Sequence, residues 1–197
     1  MSDNREDFEK WLRLKPDSEF SVRALGSALE DSAESPAAIL DAYLFAKRAL
    51  AESMQSLLRS QLPRASREAF HELRARIKEQ LHSRFSGQVP EQYLAVPYGT
   101  RANEELFALL HHDMGSPVDS ARLRAVNADD VHTERRIREL RELGLDISPS
   151  KVNGHQHYTL GSLGIDRSRV RELVVKTISK SKSLSTEEKA AMIARLP

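Results

Sequence analysis

GSPVDSARLRAVNADDVHTERRIRELRELGLDIS, residues 115–148, is the stretch on which the fold reading turns. Gly115-Ser116-Pro117 breaks whatever helix precedes it. Val118 is a single strand-like residue, and Asp119 can cap a short helix, SARLRAV, whose Leu123 and Val126 face inward. Asn127-Ala128 turns the chain. Asp129 or Asp130 then caps a third helix, Val131 to Leu143, with Ile137, Leu140 and Leu143 as its core side. Gly144 sits where a helix-ending glycine belongs.

Working outward, Thr100 caps an upstream helix carrying Leu106, Phe107, Leu109, Leu110 and Met114. Downstream, LDIS (145–148) reads as a short alternating strand, PSKVNGH (149–155) as a turn-rich loop, and HYTL (157–160) as a second strand. Helix, helix, tight turn, helix and two-stranded hairpin is the order of a winged helix-turn-helix. In that fold the third helix enters the major groove, where guanidinium groups pair with guanine edges or phosphates. His132, Arg135 and Arg136 are the candidate base readers, and Arg138 and Arg141 the candidate phosphate contacts. Lys151 and Asn153 on the hairpin loop would touch the adjacent backbone. The same residues also spell a salt-bridged surface helix, with Glu134–Arg138 and Arg138–Glu142 at i,i+4, and winged helices also serve as protein-contact modules.

Pro117-Val118, Arg135-Arg136-Ile137-Arg138, Leu140-Arg141 and Gly144 together resemble the winged-helix segment that accompanies bacterial restriction endonucleases of the HNH type. The resemblance covers a quarter to a third of the chain. It implies DNA recognition within restriction or anti-phage machinery. No His-Asn-His metal cluster follows the hairpin, so what it implies here is a DNA-binding or regulatory role rather than the nuclease half.

The first half of the chain reads as helical. Phe8, Trp11, Leu12 and Leu14 mark a first helix that Lys15-Pro16 closes. Val22, Leu25 and Leu29 mark a second. Ser35-Pro36 is a clear start signal, after which Ile39, Tyr43, Ala46, Leu50 and Leu57 form one apolar stripe, widened by Leu40, Leu44, Met54 and Leu58. That breadth predicts a helix buried on more than one side, in a bundle or at a dimer interface. Pro63 ends it. A helix from Ser66 to Phe85 follows, with Phe70, Leu73, Ile77 and Leu81 as its seam. SGQVPEQYLAVPYG (86–99) lacks a period, and Val89, Tyr93, Leu94 and Tyr98 can strap it to a neighbour. The C-terminal part reads as two helices, the second opened by a Ser185/Glu188 capping box. The expected organisation is mainly α. A helical domain over 1–86 is a possible oligomerisation region, 87–99 is a linker, 100–162 is the winged helix, and 163–197 holds the C-terminal helices.

Across 197 residues the net charge is only +1, but it is unevenly spread. From Arg122 to Lys182 there are 13 Lys/Arg against 8 Asp/Glu, and from Arg59 to Arg84 there are 7 against 3. Such segregation can leave one basic face on a near-neutral protein. The chain has no cysteine, which removes disulfides and thiolate metal sites. No apolar run approaches the ~20 residues of a membrane span, and the acidic start is unlike a secretion signal, so a cytoplasmic location is expected.

For catalysis, His155-x-His157 places two imidazoles on one strand face, with Asp146 on the paired strand as a conceivable third ligand. His111-His112 is read as favourable charge at a helix C-terminus. Glu187-Glu188-Lys189 has nuclease letters but sits at a helix start. No phosphate-binding glycine loop or activated nucleophile is evident. The expectation is a double-stranded DNA-binding protein, a transcriptional regulator or a recognition component of a defence system, without cofactor or metal and homodimeric. A protein partner could bind through residues 36–62. The alternatives are an assembly module that does not bind DNA and a nuclease with a divergent site.

Overall fold

The computed structural model describes residues 2–196. In chain order it contains α1 (Ser2–Glu30), α2 (Pro36–Gln61), α3 (Arg64–Phe85), a single 3-10 turn (Glu91–Tyr93) and α4 (Arg101–His112). β1 (Val118–Asp119), α5 (Ser120–Ala125), α6 (Thr133–Glu142), β2 (Asp146–Val152), β3 (His155–Ser162), α7 (Arg167–Lys180) and α8 (Thr186–Ala194) follow. Among the described residues the protein is mainly helical, with one small antiparallel sheet. The chain gathers into two compact units: one takes it up to Arg64 together with Ser120–Thr133, the other Ala65–Asp119 and the chain from Glu134 onward.

In the first unit α1 and α2 form a helical hairpin. Ser35 caps α2, its hydroxyl accepting the Ala38 N–H, with Pro36 at the first helical position as the sequence predicts. The expected break at Lys15-Pro16 does not occur: α1 runs through Pro16. Proline removes one N–H and crowds the carbonyl four residues back, yet Pro16 lies on the exposed side of the helix. The Ser18 hydroxyl donates to the Leu14 carbonyl at 3.0 Å within the same turn. Packing along the whole of α2 outweighs the local cost.

The seam between the two helices mixes small side chains with half-buried large ones. On α1 the inward positions are Trp11, Leu14, Ser18, Ser21 and Leu25; on α2 they are Ala42, Ala46, Ala49, Ser53 and Ser56. Both sets recur at intervals of three and four, the spacing of a coiled-coil seam. The stripe expected from the sequence mixed two faces. Ala46 is buried and Ile39, Leu50, Leu57 and Leu58 are half-buried as expected, whereas Tyr43 stands 47% exposed, with Leu40, Leu44 and Met54 exposed beside it. α5 packs on α2 beside Leu50 and Met54; Leu123 within it and Val126 just after it are buried, and Gln55 donates to the Val126 carbonyl at 3.1 Å.

The second unit has the large-residue core. Phe70, Leu73, Ile77, Leu81 and Phe85 of α3 are buried along the expected seam, with Leu106, Phe107, Leu109 and Leu110 of α4. The Phe70 and Phe107 rings meet at 5.2 Å. Segment 86–99 is strapped down: Val89, Tyr93 and Leu94 are buried, and the Arg74 guanidinium donates to the Val96 and Pro97 carbonyls. Thr100 precedes α4 as its cap, its hydroxyl accepting the Asn103 N–H as expected.

The hairpin is longer than its sequence suggested. β2 continues through Pro149 to Val152 and pairs antiparallel with β3, and β1 pairs on the other side of β3, giving the order β1-β3-β2. Pro149, expected in the loop, lies within the strand. It is tolerated because β2 is an edge, where a missing N–H breaks no ladder bond on the open side. The turn is two residues, Asn153 (φ 51) and Gly154 (φ 83), both left-handed as a type I′ hairpin requires. At the chain's end Ser185 and Glu188 form the expected capping box.

Candidate nucleic-acid interface

α6 is shorter at its start than predicted, beginning at Thr133 rather than Val131. Asp130 organises the approach: its carboxylate accepts the His132 N–H at 2.9 Å, and its carbonyl accepts the Thr133 hydroxyl at 2.8 Å. Asp129, the other candidate cap, is engaged elsewhere, 3.1 Å from the Lys47 ammonium. At the far end Gly144 takes φ 92 and its N–H reaches the Arg141 carbonyl at 3.0 Å. A Cβ there would lie 3.1 Å from Ile165 and 3.2 Å from the Asp166 backbone nitrogen, so glycine is needed for both conformation and space.

The helix has two faces. Thr133, Ile137 and Leu140 are buried. Arg135, Arg138 and Arg141, three residues apart, are exposed on the opposite arc, with His132 exposed just ahead of the first turn. Arg136 is turned inward, its side chain only 24% exposed. Its Nη1 donates to both carboxylate oxygens of Glu139, at 2.9 and 3.2 Å.

Glu139 is the hub that sequence reasoning missed. Besides Arg136 it accepts the Arg135 Nε at 3.2 Å and the Asn103 amide of α4 at 3.0 Å. Burial by itself would raise this carboxyl, but the Asn103 amide and the Arg136 and Arg135 guanidiniums outweigh it and hold the group below its ordinary value. The signal was present in the i,i+3 and i,i+4 spacing of Glu139 to the two arginines, but the contribution of Asn103, 36 residues away, was not readable.

The expected Arg138–Glu142 pair is replaced for a similar reason: Glu142 lies on the half-buried side, where the Lys176 ammonium of α7 and the Tyr98 hydroxyl both donate to it. Burial pushes Glu142 up, and those two donors pull it further down.

These shifts carry a sign. A carboxyl held low when folded adds stability above its ordinary titration range and loses it as pH falls through the depressed value. Between about pH 5 and pH 3 the wild-type urea midpoint should therefore fall more steeply than that of Glu139→Gln. Parallel curves for the two proteins would refute the role assigned to this carboxylate.

The hairpin tip carries Lys151 and Asn153, both exposed, Lys151 facing Gln156 across the ladder. Asp146 is far from the histidine pair, because it registers with Ser162 at the other end of β3 while His155 registers with Val152. The carboxylate beside His157 is Asp119 of β1, with 4.0 Å between Nε2 and the carboxylate, and the His157 Nδ1 donates to the His155 carbonyl at 3.0 Å. Among the described residues no group of three or more His, Asp, Glu or Cys side chains is placed to hold a metal ion. In the last turn of α4, His111 stacks on Phe107 and is hydrogen-bonded to the Ser66 hydroxyl at 3.0 Å. No helix among the described residues is long and apolar enough to cross a membrane.

The architecture so far defines a mainly helical protein in which an arginine-striped helix is followed directly by a β-hairpin. The sequence model of the KpnI N-terminal domain, a domain associated with restriction enzymes, matches residues 103–166, about a third of the chain. That segment opens inside α4 and closes at Asp166, the cap of α7, so it takes in β1, α5, α6 and the whole hairpin. It links this part of the protein to restriction systems. No curated protein and no solved structure matches the chain.

Proposed function

We propose that the protein binds double-stranded DNA as a recognition component of restriction-type or anti-phage machinery. Elements α4, β1, α5, α6 and the β2–β3 hairpin follow in the order of a winged helix-turn-helix. The observation that carries this reading is the exposed stripe Arg135, Arg138, Arg141 on α6, opposite a buried Ile137/Leu140 face, with a Lys151/Asn153 hairpin tip following in the same KpnI-like segment. His132 and Arg135, at the start of the helix, are assigned to base edges; Arg138 and Arg141 to phosphates; Lys151 and Asn153 to the flanking backbone.

Arg136, turned onto Glu139, is assigned a supporting role. The Glu139 contact with Arg135 takes Nε, so the Nη edge that pairs with a guanine or a phosphate is not consumed by it. Transcriptional regulation is the other task that the same DNA-binding surface would serve.

The experiment is a selection. The purified chain is incubated with a pool of random duplexes, and the retained fraction is sequenced. Enrichment of a defined motif, lost in Arg135→Ala, is the expected result. Recovery of an unenriched pool, the same with and without Arg135, would remove the reading.

A further inference from the structure

We propose that the α1–α2 hairpin is the surface through which two copies of this chain associate. This inference stands apart from the DNA reading and does not depend on it.

The hairpin leaves many of its large apolar side chains outside its internal seam. Among the described residues, ten of the thirteen exposed large apolar side chains lie on α1 or α2. Monomeric soluble proteins rarely leave contiguous apolar surface on this scale. Helical spacing sorts most of these residues onto one flank. With the seam fixed by Ser18 and Ser21 on α1 and by Ala46 and Ser53 on α2, Leu12, Val22 and Leu29 fall to the same side of the hairpin as Leu40, Tyr43 and Met54. All six are exposed. On that flank lies a cavity of about 340 Å³, walled by Leu25, Tyr43, Leu50 and Met54 and by Ala121 and Ala125 of α5. It offers a socket for an apolar side chain from outside.

Three arguments select a second copy as the occupant. The first is area. At 1.5 Å per residue α2 is about 39 Å long, and two packed helices present a face roughly 20 Å wide. α5 already borders the part of that face around Leu50 and Met54, so roughly 800 Å² per copy is its upper bound, which reaches one side of a standard stable interface. The second is charge. α1 and α2 together carry nine acidic against eight basic residues, so two hairpins meet without net repulsion, and no strongly charged partner is called for. The third is architecture. Two identical helical hairpins laid flank to flank make a four-helix bundle, and a two-fold axis lets each apolar set cover its twin.

The test uses the full chain. Sedimentation velocity and light scattering from low nanomolar to high micromolar protein should show a dimer that dissociates on dilution. Leu12 and Tyr43 are already exposed, so Leu12→Glu/Tyr43→Glu should leave the circular dichroism unchanged. It should raise the dimer dissociation constant by about a hundredfold or more, because the carboxylates would have to be buried in apolar surroundings.

The absence of native cysteine allows a second readout that does not depend on that variant folding. Leu40→Cys carrying a pyrene label should give concentration-dependent excimer emission, abolished by an excess of unlabelled wild type. A wild-type chain that stays monomeric throughout, as it would if a different protein covered this flank, overturns the proposal. So does a dimer that persists unchanged in the double variant, or one whose Leu40→Cys label gives no excimer. DNA affinity, measured separately, reports on the other reading alone.

Discussion

Replacing Arg135 and Arg138 together with alanine is expected to weaken duplex DNA binding by about 2–5 kcal/mol, a rise in Kd of roughly thirty-fold to several thousand-fold. A bidentate base contact contributes about 1–3 kcal/mol of discrimination, and a phosphate contact adds a salt-dependent share. Fluorescence anisotropy with a labelled duplex measures it. Stability should fall only modestly, because both guanidiniums are exposed and the nearly buried Glu139 keeps its Arg136 and Asn103 partners when Arg135 is removed.

Arg136→Ala should do the opposite. It strips a guanidinium from a nearly buried carboxylate, so thermal stability falls while the exposed stripe is untouched. Equal losses of DNA affinity from the Arg136 variant and the Arg135/Arg138 variant would mean that the two faces of α6 have been assigned wrongly.

The second large effect belongs to the core. Phe107 is fully buried, meets Phe70 at 5.2 Å and stacks on His111 at 5.6 Å. Phe107→Ala should cost about 3–5 kcal/mol, the sum of lost apolar transfer and an unfilled cavity. Chemical denaturation followed by circular dichroism reads this directly. Phe107→Leu, which keeps most of the volume, should lose less than half as much. A loss below about 1 kcal/mol for the alanine variant would show that the α3–α4 core is not as tightly filled as its burial indicates.

Features governed by local chemistry were legible in the sequence. Ser35-Pro36, Thr100, Gly144 and the Ser185/Glu188 box each act within one helical turn, and each is found where the sequence places it. The features that escaped depend on neighbours distant along the chain. Nothing within reach of Pro16 says that a second helix will hold α1 straight through it. Likewise nothing beside Pro149 says that β2 will be an edge, although Asn153-Gly154 is a strong two-residue hairpin signal that sets the strand lengths.

Of the α2 stripe, Ala46 is buried and Ile39, Leu50, Leu57 and Leu58 are half-buried, while Tyr43, Leu40, Leu44 and Met54 stand exposed, because Ser53 and Ser56 take inward places that polarity alone does not suggest. At the candidate site the exposed arginines follow from the position of Ile137 alone. The inward turn of Arg136 required Asn103 and Glu139 to be brought together by folding.

The measurement that bears most directly on the DNA reading is the affinity of the wild-type chain for a duplex as a function of salt. With Arg138, Arg141 and Lys151 each neutralising a phosphate, the logarithm of the association constant should fall linearly with the logarithm of salt concentration, with a slope of about −3, and Arg138→Ala should make the slope shallower by about 1. Weak binding that is flat with ionic strength, unchanged by that substitution, would contradict the placement of α6 and the hairpin against DNA.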